Sequence, residues 1–241
     1  MKKVKTITCM AAMMLLMMPF HAYGQTTKVG DINGDGKVTV SDVLALVQIV
    51  LKEDEDDNQP TEEAGEAIDL GLPSGIKWAS CNVGATKPEE YGGYYAWGET
   101  EEKETYTWEN YIHCDGTEDT CHDLGGDISG TEYDAAHVKW GGKWRIPTLN
   151  DIKELIDNCI YESTTYNGVK GVIYTSTINN NWIFMPTAGD GYTMGIIGIG
   201  SNCAYWSSTL NTDANVYHLD IQNYWASSFR FFGHVIRPVT E

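Results

Sequence analysis

The chain has 241 residues, 42% of them hydrophobic, and sets 34 acidic against 16 basic residues for a formal net charge of −18 at pH 7. That acidic excess excludes nucleic acid and anionic membrane as electrostatically favoured partners, and the length leaves room for at least one substantial core. In chain order, Met1–Gly24 is expected to be a secretory signal. Lys2, Lys3 and Lys5 precede an apolar run from Ile7 to Phe20, and Ala22-Tyr23-Gly24 offers a small-x-small cleavage site. The run is shorter than the roughly 20 residues of a spanning helix. No later segment is apolar enough, so no membrane span is expected. The chain is expected to be secreted, and extracellular, periplasmic or held at the cell surface.

Residues 25–51 form the next expected unit. Asp31-Ile32-Asn33-Gly34-Asp35-Gly36-Lys37-Val38-Thr39-Val40-Ser41-Asp42 places oxygen side chains at positions 1, 3, 5, 9 and 12 of a twelve-residue loop, with glycine at position 6. Calcium takes six to eight oxygens at about 2.3–2.6 Å, and a short chain wraps it only by turning sharply midway. The expected ligands are Asp31, Asn33, Asp35, the Lys37 carbonyl, Thr39 and Asp42. After the loop, Val43, Leu44, Val47, Val50 and Leu51 repeat at helical spacing. Ser41 is the expected helix cap, and Asp42 suits the positive helix start.

Val-Gly-Asp-Ile-Asn-Gly-Asp-Gly-Lys-Val with Asp42 and a Leu/Val/Ile helix resembles one repeat of a type I dockerin, over about Val29–Leu51. The resemblance implies Ca2+ binding and a cohesin-like partner. Dockerins usually carry two such repeats. One is legible here, because the sequence after Leu51 turns acidic. Position 12 is Asp rather than the Glu of a standard EF-hand, and few residues stand before Asp31 for a leading helix.

Lys52–Glu66 is expected to be a disordered linker, since eight of its fifteen residues are acidic and none is aromatic or a large aliphatic. Residues 67–241 hold all eight tryptophans and are expected to form one α+β domain. Two short strands should flank Pro73-Ser74-Gly75. Thr148–Asn158 should be a helix, with Thr148 as N-cap, Asp151 three residues on, and Ile152, Leu155 and Ile156 on one face. Strands are expected around Trp182, Phe184 and Met185, and around Tyr205 and Trp206. Val216–Ile221 should pair with Ser228–Phe232 across Gln222–Ser227.

Six phrases carry a second resemblance: Ile-Asp-Leu-Gly-Leu-Pro-Ser-Gly-Ile-Lys-Trp-Ala-Ser-Cys-Asn-Val-Gly-Ala, Gly-Gly-Tyr-Tyr-Ala-Trp-Gly-Glu-Thr, Trp-Arg-Ile-Pro-Thr, Phe-Met-Pro-Thr-Ala-Gly, Tyr-Trp-Ser-Ser-Thr and Val-Ile-Arg-Pro-Val. Together they resemble the Fibrobacter succinogenes major paralogous domain of Bacteroidetes secreted and surface proteins. That resemblance implies a C-type lectin-like fold of short antiparallel strands with one or two helices. It implies no settled activity. The calcium-dependent sugar motifs Glu-Pro-Asn, Gln-Pro-Asp and Trp-Asn-Asp are absent, so calcium-dependent sugar binding by this domain is not expected. Surface glycan could instead stack on Tyr94, Tyr95, Trp97 or Trp225.

No catalytic residue is assigned. Glu99, Asp134, Asp190 and Asp220 could serve a polysaccharide hydrolase, which needs two carboxylates facing across a sugar bond, but spacing does not pair them. Gly198-Ile199-Gly200 lacks the third glycine and the βαβ context of a dinucleotide site, so no organic cofactor is expected. Outside the signal stand Cys81, Cys114, Cys121, Cys159 and Cys203. An oxidising compartment favours two bridges and one leftover thiol, with Cys114–Cys121 the nearest pair. A Cys₂His₂ zinc site from His113, Cys114, Cys121 and His122 competes with that bridge, but adjacent residues on an extended chain point opposite ways. The expected function is a calcium-binding, non-catalytic binding or adhesion protein in carbohydrate-related assembly. The alternatives are a small polysaccharide hydrolase, or a calcium repeat that only clamps the large domain.

Overall fold

The computed structural model describes residues 30–32, 37–44, 46 and 62–241. The expected signal, and residues 52–61 of the expected linker, lie outside the described residues. The chain divides into two compact units, Met1–Asp57 and Asn58–Glu241, each described here by itself.

The larger unit is α+β, built from small antiparallel sheets and two α-helices among the described residues. Among the described residues its contacts start at Glu62, whose N–H donates to the Lys139 carbonyl (3.0 Å) and whose carboxylate accepts from Gly84 N–H (2.8 Å). Strands β1 (Ala67–Ile68) and β2 (Lys77–Ala79) flank the Pro73-Ser74-Gly75 turn, closed by Gly75 N–H on the Leu72 carbonyl at 2.9 Å. The other edge of β2 pairs with the last strand, here numbered β11 (Val239–Thr240), so Trp78 stands opposite both Ile68 and Val239.

Helix α1 (Ala135–Trp140) is capped by Asp134, whose carboxylate accepts from His137 N–H at 3.0 Å. Helix α2 (Leu149–Asn158) starts on the expected capping box. Thr148 Oγ1 accepts from Asp151 N–H, and the Asp151 carboxylate returns to Thr148 N–H at 2.7 Å. Ile152 and Leu155 are fully buried and Ile156 packs at the core's edge. Strands β3 (Cys159–Tyr166), β4 (Val169–Ser176) and β5 (Trp182–Pro186) form a meander. The β3–β4 turn is Asn167-Gly168, with φ of 48° and 86°, the left-handed pair a two-residue hairpin requires.

A short hairpin of β6 (Asp190–Tyr192) and β7 (Gly195–Ile197) follows. The last sheet runs β10-β9-β8, from β8 (Ala204–Thr212), β9 (Asn215–Asp220) and β10 (Tyr224–Phe229). Its β9–β10 hairpin departs from expectation. Pairing starts at Tyr224↔Asp220, so most of Gln222–Ser227 is strand rather than loop. Asp220 closes the turn locally, accepting Gln222 N–H on its side chain (2.8 Å) and Asn223 N–H on its carbonyl (3.0 Å), while Asn223 takes φ 69°.

Two apolar clusters fill the interior, with Trp78, Trp97 and Trp206 all at or below 1% exposure. Two arginines are buried with them. Arg237 donates to Asn82 Oδ1 and to the Ala79 and Phe184 carbonyls at 2.7–3.0 Å, tying β2 to β5. Arg230 lies over the rings of Trp97 (4.8 Å) and Tyr111 (5.6 Å), a cation–π setting for a charge held by carbonyls. The cysteines correct the expected pairing. Cys114–Cys121 is bridged, but Cys81, Cys159 and Cys203 are buried free thiols. Each is surrounded by core rather than by another sulfur, so the second bridge does not form. The Cys114–Cys121 bridge also takes both sulfurs from the alternative zinc site, and His113 Nε2 contacts the Gly98 carbonyl at 2.8 Å instead.

Candidate calcium loop and binding surface

Of the six expected calcium ligands, Asp31, Lys37, Thr39 and Asp42 are described, and Asn33 and Asp35 lie outside the described residues. Residues 40–44 are helical, so the helix begins one residue before Ser41 and its cap is Thr39, not Ser41. Thr39 Oγ1 accepts from Ser41 N–H at 3.2 Å, and Asp42 N–H donates to the Thr39 carbonyl at 3.1 Å. The cause is local. Asp42 stands three residues after Thr39, and its Oδ2 reaches back to accept Thr39 N–H at 2.6 Å, one half of a capping box.

The other carboxylate oxygen of Asp42 accepts from Ile32 N–H at 2.9 Å. One side chain thereby joins the start of the loop to the start of the helix, and it is only 3% exposed. Asp31 is half-buried, and the Lys37 side chain is exposed, in keeping with a residue that contributes its carbonyl. Carboxylate, carbonyl and hydroxyl oxygens are the donor set of a hard cation, and the loop fits calcium in chemistry. Bound there, calcium would supply positive charge that draws the loop oxygens together. Among the described residues no group of three His, Cys, Asp or Glu is gathered for a metal. The helix leaves Val40, Val43 and Leu44 exposed, at 75%, 59% and 59%.

On the larger unit, the expected aromatic platform does not assemble. Tyr94, Tyr95 and Trp97 are core residues at 9%, 0% and 1% exposure. Two of them have satisfied polar ends: Tyr94 OH donates to the Ala188 carbonyl at 2.5 Å and Trp97 Nε1–H to the Ser207 carbonyl at 3.1 Å. Trp225 is exposed as expected, with Lys153 Nζ 5.0 Å from its ring centre. Trp182 was not singled out by sequence. It is 43% exposed and lines an open cleft of about 510 Å³ with Asp69, Ser80 and Asn181. Its position at the first residue of β5, after Asn179-Asn180-Asn181, was the available signal.

All four candidate carboxylates prove to hold backbone, Asp190 through Ala204 N–H at 2.9 Å. Glu99 binds Lys103 Nζ and accepts Ile112 N–H at 2.8 Å. Asp134 accepts from Gly130, His137 and Ile146 N–H, and burial pushes its carboxyl pKa up. Asp220 makes the β9–β10 turn. Asp190 alone faces other reactive side chains.

The described part of the smaller unit is thus a short helix tied back to Ile32 by Asp42, and the larger unit is an α+β domain. Residues 29–70 match the type I dockerin domain family. The match runs past Leu51 through the acidic stretch to Leu70, a fully buried core residue of the larger unit. No curated protein and no solved structure matches the chain. Among the described residues no helix is long and apolar enough to cross a membrane.

Proposed function

We propose that this chain is a secreted binding or adhesion protein, in which a dockerin-like calcium repeat attaches a C-type lectin-like domain of the major paralogous type to a cohesin-like partner. The dockerin match at residues 29–70, with Asp42 closing the loop onto Ile32 and Thr39, carries the reading. The exposed Val43 and Leu44 suit a helix that meets another protein. The larger domain would present surface glycan to the assembly. Trp182 and Trp225 are the exposed rings suited to stacking on a sugar, while the lack of a Glu-Pro-Asn-type motif makes that contact independent of calcium.

Calorimetry on the secreted chain tests the first half. One calcium should bind at about 10⁻⁵–10⁻³ M, the weak extracellular range, because binding must also order the loop. Asp31→Ala should abolish the binding heat and leave the larger domain's unfolding unchanged. Equal calcium binding by both proteins would place the ion elsewhere. A glycan array run with and without calcium tests the second half, and a signal lost on chelation would overturn the calcium-independent contact.

A further inference from the structure

Four polar side chains far apart in sequence meet on the core side of the last sheet. Ser228 Oγ, on β10, lies 2.8 Å from His234 Nε2 and 3.2 Å from His218 Nδ1. His234 Nδ1 lies 2.9 Å from Asp190 Oδ1. Asp190 is 1% exposed, His234 2% and His218 7%, while Ser228 reaches partly to solvent. The His234 Nδ1–H is within ion-pair distance of Asp190 but is not aligned on it as a hydrogen bond. Such contacts often tighten only when substrate binds.

The proton order follows from which groups can donate. Asp190 faces donors on both oxygens: Ala204 N–H at 2.9 Å on Oδ1 and Asn202 Nδ2–H at 2.5 Å on Oδ2. A carboxylate so placed accepts only, so the His234 proton sits on Nδ1. Nε2 is left with a lone pair, to which Ser228 donates. The free lone pairs of Ser228 then accept from His218 Nδ1–H. Backbone and packing hold this order. His234 exchanges both backbone hydrogen bonds with Tyr95, at 3.0 and 3.1 Å, and the Trp206 ring lies 4.2 Å from its imidazole. Gly191 and Gly233, next to Asp190 and His234, pair backbone to backbone, and a Cβ on either would strike Tyr106 at 2.5–2.6 Å. Glycine at both sites is what lets the aspartate and histidine strands approach.

We propose that Ser228, His234 and Asp190 form a nucleophilic centre for acyl transfer from carboxylic esters, an activity beyond the binding role above and contrary to the non-catalytic expectation. Ser228 Oγ bonds to the ester carbonyl carbon as its proton passes to His234 Nε2. The carbon–alkoxy bond then breaks, and the leaving alcohol carries that proton away. Water reverses the sequence, giving a proton to Nε2 and its oxygen to the acyl carbon, and Ser228 regains its proton as the carboxylic acid departs. Asp190 stabilises the imidazolium in both halves. His218 is a positioning residue that holds Ser228 Oγ. The Tyr192–Phe232 ring pair, 4.5 Å apart, lies beside His234 and favours an apolar acyl group.

The test exposes the native full chain to a fluorophosphonate, which phosphonylates activated serines, and reads the adduct by peptide mass spectrometry. Ser228 should be labelled in the native protein and not in urea. His234→Gln should slow labelling by about 10²–10⁴-fold, the usual worth of a general base, and Ser228→Ala should abolish both label and hydrolysis of a short-chain aryl ester. Ser227→Ala, an exposed neighbour, should label as the wild type. Absence of a Ser228 adduct in the folded wild-type chain would overturn the proposal even if the His234 variant failed to fold. So would ester hydrolysis undiminished in Ser228→Ala.

Discussion

His218 shows how one buried side chain makes stability depend on pH. Burial first, and the positive charge of neighbouring His234 second, drive its pKa from the ordinary value of 6.5 to about 3. The unfolded chain takes up a proton near pH 6.5, and the folded chain resists it until about pH 3. Between those values the unfolded state holds the extra proton, so stability falls as pH falls through that window. The loss from this group is on the order of a few kcal/mol. The melting temperature should therefore drop between pH 6.5 and 3, and His218→Asn should flatten that part of the profile. An unchanged slope in the variant would assign the acid sensitivity to other groups. Of the Ser228 cluster, sequence named only Asp190, and only as an unpaired candidate carboxylate. Asp190, Ser228 and His234 lie in no shared motif; the Gly191–Gly233 and Tyr95–His234 backbone pairs fix Asp190 and His234, and the β9–β10 register sets Ser228 beside His218. A calcium-type loop could be read from sequence because its expected ligands sit within twelve consecutive residues.

Helix α2 is an element whose start is written locally, as Thr-x-x-Asp before an apolar stripe, and sequence and structure agree there. Thr148→Ala removes the cap acceptor for Asp151 N–H and one partner of the Asp151 carboxylate. The expected cost is about 1 kcal/mol, or roughly 2–4 °C in melting temperature for a domain of this size. Calorimetric melting of the variant checks it, and an unchanged midpoint would show that Arg145, 2.8 Å from Asp151, holds the helix start alone. The β9–β10 hairpin was misread for the opposite reason. Only Gln222 and Asn223 of Gln222–Ser227 lie in the turn, which Asp220 and Asn223 close early, and strand pairing takes up the rest, as Tyr224 and Trp225 favour. The β3–β4 hairpin had a local signal, Asn167-Gly168, between runs too polar to stand out as strands.

At the scale of the whole molecule, the larger unit has its own core and its own ends. A chain beginning at Asn58 keeps the Glu62 contacts with Lys139 and Gly84 and should unfold in one cooperative transition. A molten or aggregating product would favour the calcium repeat as a clamp. The same chain tests the thiols. Cys81, Cys159 and Cys203 are buried, and burial raises each thiol pKa, that of Cys159 to about 11. Little nucleophilic thiolate is present near neutrality. Ellman's reagent should find about no reactive thiol in the folded chain and three on unfolding without reductant, where the expected second bridge would leave one.

The sheet that gathers β1, β2 and β11 also decides how the larger unit bears load. Strands β1 and β11 each run antiparallel to β2, so they run parallel to each other, one on either edge. The start of β1 and the end of β11 therefore lie at opposite ends of that sheet. A pull applied between residues 62 and 241 draws the two outer strands in opposite directions along the central one. Their hydrogen bonds are loaded together, in shear, instead of parting one after another like a zipper. Val239 adds a second grip, exchanging backbone hydrogen bonds with Arg145 at 2.9 and 3.0 Å. This small three-stranded sheet is thus the domain's mechanical clasp, in a protein proposed to hold one body to another.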